Sequence, residues 1–271
     1  MALKYHVLVL DLDGTLTNSK KEVTEGTKQA LAEFQQQGGI IVLASGRPTY
    51  GIMPVAKQLE LEQRGGYILA FNGGHIMDCK TGKCVYRQSL PKNMIHELYD
   101  LSRDMDTHIL TYQGADVITE HPDDPYVQKE AAINHMPVKH VDDFVAHVDF
   151  PVTKCLMVGE PDYMAVVEKK VQQRVQDRIS AYRSEPFFLE LVPTGIDKAS
   201  CMQVLMDKLG LTAADAMACG DGYNDLTMLQ WAGLGVAMAN AQPEVREQAD
   251  VVTLSNDEDG VAVAIRTYAL V

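Results

Sequence analysis

Two aspartates separated by one residue are the first side chains in the chain whose spacing favours chemistry. The sequence reads Asp11-Leu12-Asp13-Gly14-Thr15-Leu16 directly after a short apolar run that predicts a β-strand. Along an extended chain, alternate side chains share a side, so Asp11 and Asp13 are expected to point the same way. Two carboxylates that close repel each other unless a cation lies between them or one keeps a proton. The pair therefore predicts a hard-metal site or an acid–base pair, and an ordinary turn with solvated acids is the open alternative.

A second acidic cluster follows another predicted strand, Ala214–Cys219, and reads Gly220-Asp221-Gly222-Tyr223-Asn224-Asp225. Asn224 and Asp225 lie three and four residues after Asp221, at the start of a predicted helix, so one face can present all three side chains. Oxygen ligands from two strand ends suit Mg²⁺, which takes few carboxylates and keeps water and phosphate oxygens. Helix capping by Asp221 and Asn224 is the structural alternative.

Two further segments predict phosphate binding. Ser45-Gly46-Arg47 follows the apolar run Ile40–Ala44, and it offers a hydroxyl, close backbone N–H groups and a guanidinium. Lys198 opens a predicted helix, and a lysine beside acids can keep a carboxylate ionised and neutralise phosphate charge. Taken alone, Lys198 is compatible with a solvated helix residue, Ser45 with a turn and Arg47 with a surface salt bridge.

The elements that must position these side chains are short, continuous apolar runs that alternate with helical patterns. Strands without polar alternation are typical of a parallel sheet covered on both faces, and ligands bind such sheets at the carboxyl ends of the strands. The sequence thus predicts an α/β fold with a Rossmann-like parallel-sheet core, divided into residues 1–83 and 191–271. The more polar segment 84–190 predicts an inserted α+β domain, with helices at Lys92–Asp104 and Asp162–Gln176 and strands at Lys154–Val158, Ile179–Tyr182 and Phe187–Val192.

Composition limits the classes of partner. The chain has 271 residues, a formal net charge of −13, 46% hydrophobic and 23% charged residues, which is typical of a globular protein. The acidic balance argues against nucleic-acid and anionic-membrane partners, and no apolar run approaches the ~18 residues of a membrane span. Five cysteines without a CxxC pair predict neither a zinc site nor a disulfide scaffold. Together with the absence of a long apolar leader, this leads us to expect a cytoplasmic protein.

The four motifs, in this order, resemble those of the haloacid dehalogenase superfamily of phosphohydrolases. Asn72-Gly73-Gly74 before the insertion, and the Asn224-Asp225-Leu226-Thr227-Met228-Leu229 run after it, resemble the Cof-type branch with a type IIB cap. The resemblance implies that Asp11 is the nucleophile and that Asp13 is the acid–base residue. It also implies a Mg²⁺ site formed by Asp11, Asp221 and the backbone carbonyl of Asp13. Ser45, Gly46, Lys198 and Asn224 would bind the phosphoryl group, with Asp225 and Arg47 in supporting roles.

Four functions follow from these features, and the first is a Mg²⁺-dependent phosphatase of small phosphorylated metabolites, above all sugar phosphates. A sugar phosphomutase of the same superfamily is the alternative, because the run Thr15-Leu16-Thr17 resembles that of such relatives. A phospho-accepting signalling domain and a catalytically inactive binding module are less compatible with the insertion and with the full set of motif acids. Asn72 fits a turn at a strand end better than a ligand. Polar residues of the insertion, among them His108, Tyr112, Arg183 and Ser184, are candidates for substrate contact.

Overall fold

A computed structural model of the protein describes residues 3–270. The strands are Val7–Asp11 (β1), Ile40–Ala44 (β2), Tyr67–Ala70 (β3), His75–Asp78 (β4), Cys84–Arg87 (β5), His108–Gln113 (β6), Asp116–Thr119 (β7), Val138–His140 (β8), Cys155–Val158 (β9), Ser180–Glu185 (β10), Phe188–Val192 (β11), Ala216–Gly220 (β12), Leu234–Ala237 (β13) and Val251–Val252 (β14). The α-helices are Glu25–Gln36 (α1), Thr49–Gln58 (α2), Leu61–Arg64 (α3), Lys92–Asp104 (α4), Pro125–Asn134 (α5), Phe144–His147 (α6), Pro161–Val175 (α7), Lys198–Leu209 (α8), Leu226–Trp231 (α9), Pro243–Gln248 (α10) and Gly260–Ala264 (α11).

The larger sheet has the strand order β14-β13-β12-β1-β2-β3-β4-β5. Its strands from β14 to β3 are parallel to their neighbours, and β4 runs antiparallel to β3. In the register of the central strands, Leu10 pairs with Cys219 of β12 and Asp11 pairs with Ala44 of β2. The carboxyl ends of β12, β1 and β2 therefore lie side by side, which is where the acidic and phosphate-type motifs follow in the sequence.

Helices cover both faces of this sheet, which explains why its strands lack polar alternation. On one face, Leu8 and Leu10 of β1 pack in a cluster with Phe34 of α1 and Ile52 of α2. On the other face, the alternate β1 side chains pack in a cluster with residues of α8 and α9. All five residues of β1 are buried. The predicted α/β class with a parallel sheet is confirmed.

The second sheet has the order β10-β11-β9-β6-β7-β8, and its strands are antiparallel to their neighbours except for the parallel pair β7 and β8. One face packs in a cluster with residues of α4 and α7, whereas the other packs with α5. Sequence patterning predicted β9, the first half of β10, β11 and the two long helices of this region but not β6, β7, β8 or α5.

The chain divides into two compact units, Met1–Tyr86 with Asp197–Val271 (the core unit) and Arg87–Ile196 (the inserted unit). Both junctions lie a few residues beyond the predicted boundaries at 84 and 190. The first falls at the end of β5, the edge strand of the large sheet, and the second follows β11, which the predicted boundary at 190 divides. Cys84, predicted as the first residue of the insertion, belongs to β5 of that sheet. No helix within residues 3–270 is long and apolar enough to cross a membrane.

Candidate active site

Three carboxylates meet at the carboxyl edge of the large sheet. Asp11 is the last residue of β1, while Asp221 and Asp225 belong to the segment that follows β12. Each offers an oxygen atom within 4.8 Å of the oxygens offered by the other two. The side chains of Asp11 and Asp225 are buried. The structure thus brings together carboxylates that are more than 200 positions apart in sequence.

One buried ammonium lies between two of these acids. The Nζ of Lys198, a fully buried side chain at the first position of α8, donates to Asp11 Oδ1 at 2.6 Å and to Asp225 Oδ1 at 2.6 Å. It also donates to the carbonyl oxygen of Ala44 at 3.0 Å. Helix α8 begins there because Asp197 caps it, accepting a hydrogen bond from the backbone N–H of Ser200. The cap therefore fixes the residue from which the lysine reaches the acids.

The cluster carries more negative than positive charge. Burial raises the pKa of Asp11 from 3.8 to about 8, repulsion from Asp225 adds to the rise, and attraction to Lys198 only partly offsets it. The pKa of Asp221 is also raised, mainly by burial. Burial alone would lower the pKa of Lys198, but Asp11 and Asp225 outweigh it and raise that pKa above its usual value. A single ammonium facing three carboxylates leaves an acidic oxygen-rich group that fits a hard divalent cation.

The loop after β1 is shaped around Asp221. Gly14 has a φ of +87°, and a Cβ at this position would lie 2.4 Å from Asp221 Oδ2. Only glycine combines this backbone conformation with such a close approach. Thr15 Oγ1 donates to Asp221 Oδ1 at 2.7 Å, and the Oδ2 of Asp225 accepts from the backbone N–H of Asp221 at 3.0 Å. These contacts hold the second acidic segment against the first.

Asp13, predicted as the acid–base residue, directs its carboxylate to two cations. Arg47 donates to it from Nε at 2.8 Å and from its Nη2 at 2.7 Å, and Lys21 Nζ donates at 2.8 Å. Burial favours a higher pKa for Asp13, but the hydrogen bonds from Arg47 and Lys21 outweigh it and hold that pKa below 3.8. The carboxylate of Asp13 is therefore ionised in this arrangement, in contrast to that of Asp11.

The predicted phosphate-binding residues lie in neighbouring loops. Ser45 is buried directly after β2, and its Oγ accepts from the backbone N–H of Arg47 at 3.2 Å. Asn224 is exposed at the start of the turn before α9, where its Nδ2 donates to Asn72 Oδ1 at 3.2 Å. Gly46 lies beside the same Asn72 side chain. The structure thereby places Ser45, Gly46, Lys198 and Asn224 on segments that follow, or lie beside, adjacent strand ends.

Sequence reasoning missed three polar residues that support this edge. Thr15 and Lys21 contact Asp221 and Asp13 as described, and Asn240 Nδ2 donates to the carbonyl oxygen of Gly14 at 2.8 Å. Asn240 follows β13, so the rule that singles out residues at strand ends would have found it. Lys21 and Thr15 carry no such signal, because their partners are set by the path of the loop.

The polar candidates of the inserted unit have partners within that unit. His108 Nδ1 lies 2.7 Å from Asp124 Oδ2. Tyr112 Oη donates to Glu130 Oε1 at 2.5 Å, and Arg183 Nε donates to Glu168 Oε2 at 3.0 Å. Ser184 is exposed on β10. These contacts account for the side chains as parts of the unit and leave their role toward a substrate a prediction.

A family model described as haloacid dehalogenase-like hydrolase matches residues 8–265. The chain belongs to this family of hydrolases. A solved haloacid dehalogenase-like hydrolase from Bacteroides thetaiotaomicron has a TM-score of 0.94 and 50% sequence identity, covering 97% of this chain and 99% of that one. The predicted family, enzyme class and fold class are confirmed.

Curated relatives of this hydrolase match it over nearly their whole length. YxeH of Bacillus subtilis (strain 168) is 34% identical over 269 residues, which is 98% of this chain and 99% of the relative. A second relative from the same organism, 5-amino-6-(5-phospho-D-ribitylamino)uracil phosphatase YcsE, is 30% identical over 265 residues, 97% of this chain and 96% of its own. Both matches therefore extend over nearly the whole of this chain and of the relative.

Proposed function

We propose that this hydrolase is a Mg²⁺-dependent phosphatase of small phosphorylated metabolites, with sugar phosphates and related polyol phosphates as the substrate class. The observation that carries the proposal is the buried group formed by Asp11, Asp221, Asp225 and Lys198. Such a group combines a nucleophile with charge that can neutralise a phosphate, and phosphoryl transfer depends on that combination. The name of the relative YcsE, whose substrate carries a 5-phospho-D-ribityl group, supports the substrate class.

The chemistry proceeds in two displacements on phosphorus. In the first, an oxygen of Asp11 forms a bond to phosphorus while the bond to the leaving oxygen breaks. Asp13 acts here in its protonated form: it takes up a proton from solvent, releases Arg47 and Lys21, and gives that proton to the leaving oxygen. In the second, Asp13 accepts a proton from a water molecule, whose oxygen attacks phosphorus and releases the carboxylate of Asp11 and inorganic phosphate. Dividing one difficult step into two is the advantage of a covalent intermediate.

The remaining residues bind the metal or the phosphoryl group, or support those that do. Asp11, Asp221 and the backbone carbonyl of Asp13 would hold the metal, with Asp225 in support. Bound Mg²⁺ would supply positive charge that offsets the acids and the phosphoryl oxygens. Ser45, Gly46, Lys198 and Asn224 bind the phosphoryl group, because a hydroxyl, a backbone N–H, an ammonium and an amide are all donors. Arg47 stabilises the ionised form of Asp13, which is the form that accepts a proton from water in the second displacement. Residues 84–190 are the predicted cap that selects the organic group.

The test is a screen of phosphorylated metabolites with the purified protein in Mg²⁺, read as release of inorganic phosphate, with Asp11→Asn as the blank. We expect release from one or more sugar or polyol phosphates and none from the variant. Conversion of a sugar 1-phosphate to a sugar 6-phosphate without free phosphate would instead identify a phosphomutase. A stable phosphorylated Asp11 without turnover of any ester would identify a phospho-accepting domain.

A further inference from the structure

The turn after β3 has an unusual backbone. Phe71, Asn72 and Gly73 have φ values of 54°, 54° and 114°, so three successive residues lie on the left-handed side. At Gly73, a Cβ would lie 2.4 Å from the carbonyl oxygen of Asp197, the residue before Lys198. The two preceding residues are not glycine and therefore pay a conformational cost. Such residues persist where the surrounding structure requires them, and they concentrate at functional sites.

This backbone ties the turn to the Ser45 loop. The N–H of Asn72 donates to the carbonyl oxygen of Ser45 at 3.0 Å, and the N–H of Phe71 donates to the carbonyl oxygen of Arg47 at 3.0 Å. A Cβ at Gly46 would lie 3.0 Å from Asn72 Nδ2, so the carboxamide of Asn72 lies directly against the glycine. The conformation of the turn is thus matched to the loop that follows β2.

The side chain of Asn72 also reaches a second loop. Its Oδ1 accepts the hydrogen bond from Asn224 Nδ2, at 3.2 Å. In the sheet order β12-β1-β2-β3, this bond spans from the end of β3 to the segment after β12. Asn224 is exposed, and an exposed side chain samples several rotamers unless a partner holds it. Donating one N–H to Asn72 fixes the direction of the other.

We propose that Asn72 is a positioning residue, which orients the amide of Asn224 and the backbone at Ser45 and Gly46 for binding of the phosphoryl group. This assignment rests on the proposed phosphatase function. It accounts for an asparagine at a backbone position where glycine would be free of strain, because glycine has no side chain to hold Asn224.

The test uses Asn72→Gly, which accepts the same φ without steric cost but lacks the carboxamide. We expect thermal stability about equal to that of the wild type, a fall of about 10- to 100-fold in kcat/KM for phosphate release and about tenfold weaker binding of inorganic phosphate in Mg²⁺. Glycine keeps the backbone hydrogen bond to Ser45, so Asn72→Gly removes what the carboxamide does through Asn224. The double variant Asn72→Gly/Asn224→Ala is therefore expected to lose little more than Asn224→Ala alone.

The matched control is His135→Gly. His135 is exposed at the end of α5 with a φ of 52°. His135→Gly therefore also places glycine at a left-handed position, but in the inserted unit, and the kcat/KM of this variant should equal that of the wild type. Wild-type activity in Asn72→Gly, or losses in the double variant that simply multiply, would overturn the assignment. If the wild type hydrolyses no ester, the proposed function fails; weaker binding of inorganic phosphate by Asn72→Gly then still supports the positioning role, and equal binding overturns it.

Discussion

Each unit of the molecule buries a lysine among acidic residues, and the two arrangements differ in their balance of charge. In the inserted unit, Lys154 Nζ lies 3.2 Å from Glu190 Oε1 and 5.4 Å from the centre of the Tyr112 ring. In the core unit, Lys198 Nζ contacts two carboxylates at 2.6 Å each, and a third carboxylate belongs to the same group. In the first, Lys154 pairs with Glu190, and the other buried acid beside Tyr112, Glu130, accepts hydrogen bonds from Tyr112 and Asn134. In the second, three carboxylates share one ammonium, which is a surplus of acid.

The surplus of acid supports the chemical role proposed for the Lys198 group. A buried ion pair is often replaceable by apolar side chains of similar volume, with no loss of stability. Buried carboxylates without enough positive charge are costly, so they persist where a ligand supplies the missing charge. We therefore expect substitutions at Lys154 and Glu190 to act on stability and substitutions in the Lys198 group to act on chemistry.

The largest effect is expected from Asp11→Asn. The amide cannot act as a nucleophile toward phosphorus, so phosphate release should fall by at least about 10³-fold. The fold should persist, because an amide places less charge beside Asp225 and Asp221. Steady-state kinetics and thermal unfolding of the same preparation check both parts.

Asp207→Asn is the matched control for Asp11→Asn. Asp207 is exposed on α8, where it accepts a hydrogen bond from Gln203, and its substitution should leave phosphate release unchanged. Full activity of Asp11→Asn would refute the covalent mechanism, and a comparable loss in Asp207→Asn would show that the assay reports general damage.

Removal of divalent metal is expected to have the next largest effect. Chelation should lower phosphate release by about 10²-fold or more and weaken substrate binding, because three acids then face the phosphate with one lysine. Mg²⁺ should raise the unfolding temperature of the wild type but not that of Asp221→Asn, since a ligand that binds only the folded state stabilises it. Micromolar substrate affinity in excess chelator would contradict the role assigned to the metal.

The two lysines provide a direct test of the comparison. In metal-free protein, Lys154→Met should lower the free energy of unfolding by about 3–5 kcal/mol, because Glu190 loses its partner. The double variant Lys154→Met/Glu190→Leu should recover most of that stability together with wild-type phosphate release. Lys198→Met/Asp11→Asn should also recover stability relative to Lys198→Met, yet it should release no phosphate. Equal recovery of activity in both double variants would remove the distinction between the two arrangements.

The parts of the fold that could be predicted are those whose burial leaves a pattern in the sequence. The core strands were predicted because parallel strands buried on both faces read as apolar runs, and the acids were found because they follow those runs. Helix α5 was missed because the prolines at 122 and 125 indicate a loop. In the structure, Pro125 is the first residue of the helix and Asp124 caps it, and proline is well suited to that position.

Side-chain partners that are far apart in sequence could not be predicted. Alternation along the strand predicted that Asp11 and Asp13 share a side, but Asp13 pairs with Arg47 and Lys21, whose positions depend on the loop path. Asn72 was interpreted as a turn residue, which describes its backbone but not its bond to Asn224. No sequence motif marks the Lys154–Glu190 pair, because an ion pair that serves only the fold needs no glycine, turn or strand end beside it.

The smallest expected effect is a pH dependence of stability that arises from the surplus of acid around Lys198. Burial and Asp225 raise the pKa of Asp11 to about 8 in the folded protein, whereas the unfolded chain has an ordinary value near 4. The folded state therefore binds more protons between these values, so this group stabilises the metal-free protein most below pH 4 and progressively less up to about pH 8. Unfolding free energies of the wild type and Asp11→Asn, measured without metal at pH 6 and pH 9, should show the wild type losing stability relative to the variant. Because Mg²⁺ must displace that proton, its apparent affinity for the wild type should rise by at most about tenfold per pH unit and level off near pH 8. Equal changes in the stability of the wild type and of Asp11→Asn between pH 6 and pH 9 would show that Asp11 does not hold a proton in the folded, metal-free protein.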